Sequence, residues 1–269
     1  MNFFHRFNGK QRLLAAHRGA RALRPENTLC ALQAAVGKCD FIEFDVRLSR
    51  DLVPVVIHDA TLQRTTDVAS ITDFADRAPW PVHEFDSSEL RRLDYGSWFS
   101  ASDPLGLAGT PVATDDRGLF PQPLLTLERA LMLCQQQQVP VNVEIKDMSG
   151  TPQDTHAVQK VLDLVHELDC AQLVLISAFK RDYLRQCLRL APHISTALLQ
   201  DGGHQEVELS CLRSLGVCAY HAEDSGTSAA LIERLSGNGL YVNVYTVNDR
   251  LRMRQLYDAG VTAIFSDYL

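Results

Sequence analysis

Between Val141 and Leu199 the chain reads Val-Asn-Val-Glu-Ile-Lys (141–146), then a stretch with apolar residues at helical spacing from Thr155 to Leu168. Leu-Val-Leu-Ile-Ser-Ala (173–178), a second helical stretch from Arg181 to Leu190 and Ile-Ser-Thr-Ala-Leu-Leu (194–199) follow. Short runs rich in Val, Ile and Leu that alternate with helical periodicity are the signature of βα units around a parallel sheet. The rhythm extends both ways. Downstream it gives strands at Val217–His221, Tyr241–Thr246 and Thr262–Ser266, with helices at Ser228–Leu235 and Asp249–Ala259. Upstream it gives strands at Leu13–His17 and Phe41–Val46, with a helix at Glu26–Gly37 between them. Asn248 and Ser225 are candidate caps for the last two helices. Eight βα repeats predict a closed (β/α)8 TIM barrel, an architecture that routinely takes about 250 residues, in a chain of 269 read as one domain.

A further strand-like run, Val53–His58, follows Phe41–Val46 after only Ser49-Arg50-Asp51, too short for a parallel crossover, so it should pair back as a hairpin. From Ala60 to Leu125 the rhythm breaks. This region holds Pro79, Pro81, Pro104, Pro111, Pro121 and Pro123 and one helix, near Ser87–Leu93. It reads as a loop-rich insertion after the second strand, where βα loops shape the mouth of a barrel.

Composition excludes several classes. Hydrophobic residues make up 46% and charged residues 22%, which suits a globular core and excludes a disordered chain. The net charge is −7 with no Lys/Arg block, so the electrostatic footprint of a nucleic-acid partner is missing. Its longest uncharged apolar stretch, Cys170 to Phe179, is about half of what spans a bilayer, so no stable membrane insertion is expected. Residues 1–10 lack the apolar core of a secretory signal, and seven cysteines, never spaced C-x-x-C, read as reduced core thiols; a cytoplasmic protein is expected.

In a barrel of this kind the active site lies at the C-terminal strand ends. There the first strand ends in His17-Arg18-Gly19, the second carries Glu43 and Asp45 on one face, the hairpin run ends in His58-Asp59, and the third barrel strand carries Glu144 and Lys146 on one face. Carboxylates buried together need a positive partner. Glu43, Asp45 and Glu144 offer hard oxygen ligands suited to Mg²⁺ or Ca²⁺; a salt-bridge cluster with Arg18 or Lys146 is the other reading. Two histidines facing that set supply an acid–base pair. Elsewhere, Glu26 and Asn27 read as turn-fixing residues with Pro25 at a helix start, Trp80 and Trp98 as the insertion's small core, His83, His156, His166, His193 and His204 as surface histidines, and His221 as a residue that could reach the mouth.

Taken in order, His17-Arg18-Gly19, Pro25-Glu26-Asn27-Thr28, Glu43-Phe44-Asp45-Val46, Val55-Val56-Ile57-His58-Asp59 and Asn142-Val143-Glu144-Ile145-Lys146 resemble the motif set of the glycerophosphodiester phosphodiesterases. The likeness continues through Ser87–Phe99, Ser177-Ala178-Phe179, Tyr245-Thr246-Val247-Asn248 and Phe265-Ser266-Asp267. Two positions depart: Tyr245 stands where Trp is common, and Tyr268-Leu269 follow Asp267 where a nearby Pro is common. The resemblance implies one divalent metal ion, Mg²⁺ or Ca²⁺, on Glu43, Asp45 and Glu144, with His17 as base and His58 as acid. It also implies phosphate contacts from Arg18 and Lys146, substrate contacts from Phe179 and Tyr245, and hydrolysis of a small-molecule glycerophosphodiester to glycerol 3-phosphate and an alcohol. Two alternatives are weighed. A lysophospholipase D-type activity would want an apolar entrance that the sequence does not show, and a non-catalytic phosphodiester-binding barrel would have lost His17 or His58.

Overall fold

A computed structural model describes residues 2–101, 121–204 and 207–269, so part of the expected insertion, Pro104 and Pro111 included, lies outside the described residues. Its sheet holds nine strands: β1 (Leu13–Ala16), β2 (Phe41–Leu48), β3 (Pro54–Val56), β4 (Val141–Ile145), β5 (Val174–Ala178), β6 (Ser195–Gln200), β7 (Ala219–Glu223), β8 (Tyr241–Tyr245) and β9 (Ala263–Ser266). All but β3 are parallel, and pairing of β1 with both β9 and β2 closes them into an eight-stranded TIM barrel. β3 returns antiparallel on the end of β2, with Val46 opposite Val56 and Leu48 opposite Pro54, as the short connection 49–53 requires.

The strands alternate between two apolar environments. Ile42, Phe44 and Val46 point outward into the layer shared with the helices, whereas Phe41 points inward with Leu13, Ala15, Leu175, Ala197 and Phe265. Because side chains alternate along a strand, Glu43 and Asp45 share the inward face of Phe41, as Glu144 does on β4. One end of the interior is closed by aromatic rings: a short 3-10 turn, Phe3–Phe7, sets Phe3 edge-on to Phe41 at 5.5 Å and stacks Phe4 on Tyr241 at 4.2 Å. This plug was not foreseen in the sequence. With the floor packed, polar inward residues can reach solvent only at the opposite end, where the strands finish.

Around the barrel lie α1 (Leu29–Ala35), α4 (Leu127–Gln137), α5 (Ala157–Glu167), α6 (Arg181–Leu190), α7 (Leu209–Leu215), α8 (Ala229–Ser236) and α9 (Arg250–Asp258); short α2 (Ser87–Leu90) and α3 (Ser97–Ala101) belong to the region after β3. Three helix starts differ from expectation. α1 begins after Thr28, whose hydroxyl caps Ala31 N–H, because Asn27 adopts a left-handed φ of 58° that no helix continues; Pro25 and Glu26 therefore lie in the preceding loop. Asp249, not Asn248, caps α9, and Ser228, not Ser225, caps α8. The described part of residues 60–125 forms 3-10 turns around its own apolar cluster of Leu62, Val68, Phe74, Val82, Phe85 and Leu90, with Trp80 packed against it, and that cluster includes Val55 and Ile57 from the β3 arm.

Candidate active site

At the end of β1 the chain turns sharply. Arg18 and Gly19 both take left-handed φ values, 55° and 80°, and a Cβ on Gly19 would sit 2.7 Å from the Ala31 carbonyl carbon, so only glycine lets the turn pass against α1. The turn lays the backbone N–H of Arg18 on Glu43 Oε2 at 2.9 Å and aims its guanidinium inward, with Nη1 2.8 Å from Glu26 and Nε 3.3 Å from Asp45. Glu43, Asp45 and Glu144 are all buried and each offers an oxygen within 4.8 Å of the others. Asn27 donates to Asp45 at 2.8 Å, while Lys146 Nζ lies 2.6 Å from Glu144 and 3.4 Å from Asp45.

The salt-bridge reading is met in part: Arg18 and Lys146 lie against the carboxylates, but three formal negative charges face two formal positive ones. Among the described residues, the Glu43 carboxylate accepts only from the Arg18 backbone. Burial, then the neighbouring charges of Asp45 and Glu144, push Glu43 well above the usual carboxylate range. Burial likewise raises Glu144 against the pull of Lys146, whereas at Asp45 burial is outweighed by Lys146 and Arg18, which hold it far below the usual range. Such a floor calls for a further cation, and three hard oxygens fit a divalent one such as Mg²⁺ or Ca²⁺.

The histidines stand beside this floor. A carboxylate can only accept, so Nδ1 of His17 donates to Asp267 Oδ1 at 2.7 Å, and Nδ1 of His58 donates to Asp59 Oδ1 at 2.7 Å, which makes Nε2 the lone-pair nitrogen of each neutral ring. Burial lowers the His17 pKa more than Asp267 raises it, so its ring is kept neutral. Asp267 is held well down despite burial by His17 and Arg21, and Asp59 by His58 and Arg64. His58 reaches the mouth on the β3 arm: Ile57 N–H donates to Asp45 O, and Arg47 Nε donates to His58 O at 2.9 Å.

A cavity of about 350 Å³ opens here, within the range of small-molecule sites. His17, Arg18, Glu43, His58, Glu144 and Lys146 line it together with Phe179 and Tyr245, which are set edge to face at 6.3 Å, Lys146 lying 5.8 Å over the Phe179 ring. All nine residues singled out in the sequence thus converge, Asp45 lying in the carboxylate cluster just beneath. Asp201 also lines the cavity, where it accepts from Tyr245 Oη at 2.7 Å; in the sequence it is merely the residue before a Gly-Gly turn.

Other expectations are corrected. Glu26 does more than fix a turn: its buried carboxylate is bonded to Arg18, Arg21 and Arg64. Asn248 donates to Asp267 at 2.7 Å, where a helix cap was expected. His221 does not reach the mouth; it is wholly buried inside the barrel against Phe265, where burial pushes its pKa down to about 3. His204 is not at the surface but buried, with Nδ1 2.9 Å from Tyr220 Oη. Trp98, unlike Trp80, is not among the residues of the insertion's apolar cluster; its indole N–H donates to Tyr95 O at 2.9 Å.

Comparison with known proteins gives a concordant picture. Residues 17–269 match the sequence model of the glycerophosphoryl diester phosphodiesterase family. A glycerophosphodiester phosphodiesterase of Caldanaerobacter subterraneus subsp. tengcongensis is 30% identical over 256 residues, spanning 95% of this chain and 93% of that protein. Among solved structures, an Oleispira antarctica phosphodiesterase in complex with its product sn-glycerol-3-phosphate superposes with a TM-score of 0.82 at 25% identity, over 100% of this chain and 96% of that one. A glycerophosphodiester phosphodiesterase from Agrobacterium tumefaciens gives 0.71 at 25% identity, over 96% of each chain.

Proposed function

Since the chain belongs to the glycerophosphoryl diester phosphodiesterase family, we propose that it adds water across a glycerophosphodiester to give glycerol 3-phosphate and an alcohol, using His17 and His58 for proton transfer beside a divalent cation. The observation that carries this reading is the pairing of two histidine–aspartate dyads with a cluster of three buried carboxylates whose oxygens lie within 4.8 Å of one another. The match over residues 17–269 supports treating the chain as one catalytic unit, and the separate apolar cluster around Leu62, Phe74 and Phe85 supports reading about 60–125 as an insertion. Among the described residues no helix is long and apolar enough to cross a membrane.

Glu43, Asp45 and Glu144 would hold the cation, which when bound supplies positive charge to the phosphoryl oxygens and acidifies the attacking hydroxyl. Arg18 and Lys146 face the same space and would neutralise the diester's charge. His17, kept neutral by burial, starts with a lone pair on Nε2 and takes the proton of the attacking hydroxyl, whether of water or of the substrate's glycerol; Asp267 steadies the imidazolium that forms. His58, with its side chain 32% exposed against 13% for His17, can take up a proton from solvent between turnovers and deliver it from Nε2 to the departing alkoxide. Phe179 and Tyr245 would supply aromatic walls to the substrate.

Replacing each histidine by Ala tests the division of labour. On an alkyl diester each variant should lose about 10²- to 10⁴-fold in kcat/KM, the usual worth of a positioned acid or base. A nitrophenyl diester, whose alcohol leaves without a proton, should largely restore His58→Ala and leave His17→Ala impaired. The reverse pattern would exchange the two roles, and identical behaviour of both variants on both esters would refute the division.

A further inference from the structure

Around Glu26 the two dyads are joined. The Oδ1 of Asp267 that receives His17 also receives Nη1 of Arg21 at 3.2 Å, and the Oδ1 of Asp59 that receives His58 also receives Nη2 of Arg64 at 3.1 Å. Both arginines then end on one carboxylate: Arg21 Nε lies 2.9 Å from Glu26 Oε2, and Arg64 Nη2 lies 2.6 Å from Glu26 Oε1, with Nη1 3.1 Å from Oε2. Arg18 completes the hub at 2.8 Å. A continuous chain of charge-assisted bonds therefore runs from His17 through Asp267, Arg21, Glu26, Arg64 and Asp59 to His58.

We propose that Glu26 is a positioning residue that orients both histidines at once, so that the base and the acid are coupled through one buried carboxylate. Burying a carboxylate is costly, and a well-packed apolar residue would serve stability as well or better. What an apolar side chain could not do is fix the azimuth of two planar guanidinium groups. Each arginine fork, pinned at one end by Glu26, holds an aspartate at the other in the rotamer that meets the histidine Nδ1–H. The requirement is greatest at Asp59, whose side chain is 26% exposed and would otherwise be free to turn toward water. Glu26 touches neither histidine and acts on them through these two arms, while it also holds Arg18 directly. The inference rests on the acid–base reading given above.

Arg21→Gln and Arg64→Gln each sever one arm, and Glu26→Gln removes the hub. On an alkyl diester each arginine variant should lose roughly 10- to 100-fold in kcat/KM, the usual cost of removing a partner that orients an active-site group. The nitrophenyl diester should largely restore Arg64→Gln but not Arg21→Gln, a split that a general loss of structure would not produce. Because both arms share Glu26, the double variant should lose less than the product of the single losses, and Glu26→Gln, which also alters the hold on Arg18, should lose at least as much as the double. Multiplicative losses, or full activity in Glu26→Gln, would overturn the coupling. Should Glu26→Gln fail to fold, the cycle on the two arginines decides alone. A normal leaving-group split in His17→Ala and His58→Ala beside multiplicative arginine losses would remove only the role of Glu26, whereas no split in the histidine variants would remove the reading beneath it.

Discussion

Glu26 and Glu43 are both buried carboxylates, yet their surroundings move them in opposite directions, and acid–base stability should reveal it. Burial works against ionisation at Glu26, but Arg18, Arg64 and Arg21 hold its pKa down to about 2 from an ordinary 4.5. A pKa lowered on folding adds stability that is present above the unfolded value and lost as pH falls through the folded one. The acid limb between about pH 4.5 and 2 should therefore lose about 3 kcal/mol from this group, and Glu26→Gln should flatten it in urea titrations. Glu43, raised on folding, contributes in the other sense: its stabilisation is present at low pH and lost as pH rises through its elevated pKa. Glu43→Gln in chelator should accordingly unfold at a higher temperature than the parent at pH 7 to 8; a lower Tm there would contradict the electrostatic account. At this scale His17, His58 and the three carboxylates were legible because strand ends and a two-residue period announce them. Asp267, 250 residues from His17, was legible as part of a motif but not as that histidine's partner, and Arg64, inside an irregular region, not at all, since nothing local marks which buried partner a distant side chain will meet.

The elements were legible to the extent that each carries its own periodicity. All eight barrel strands and the hairpin lie where alternating apolar runs put them, β4 and β5 within a residue or so of expectation. Helix starts were less legible. Asn27, Ser225 and Asn248 are good capping types, but Asn27 is drawn to Asp45 and Asn248 to Asp267, so the next suitable residue caps instead. The irregular region hid its own order, because its packing depends on residues brought together without a repeat, such as Phe85 beneath the Arg77 guanidinium at 3.5 Å. The turn after β1 allows a sharp test of element on site. Gly19→Ala must place a methyl against the backbone of α1 at a left-handed φ, a strain of about 1–2 kcal/mol before the clash is counted. Its Tm should fall, and its kcat/KM should fall further than stability explains, since Arg18 and His17 ride on that turn; unaltered kinetics in the folded variant would show that the turn does not position them.

The whole molecule is a barrel plugged with aromatic rings at one end and charged at the other, and this polarity decides where chemistry can occur. Phe3 and Phe4 are buried at one end of the interior, so among the described residues the inward charges of β2 and β4 meet their partners and solvent toward the mouth. The composition, acidic overall with no basic block, gave no hint that so many cations are spent inside, on Glu26, Asp45, Glu144 and Asp267. If the floor of Glu43, Asp45 and Glu144 is built around a divalent cation, that cation should stabilise the fold as well as support turnover. The direct measurement follows both glycerol 3-phosphate release and Tm while Mg²⁺ or Ca²⁺ is added back to chelator-stripped protein. Turnover should be absent in chelator and return with the metal. At about 100 times its Kd the cation should contribute about 2.7 kcal/mol, raising Tm by roughly 5–10 °C along the same saturation curve. Full turnover in excess chelator, with no shift in Tm on adding either cation, would contradict the account.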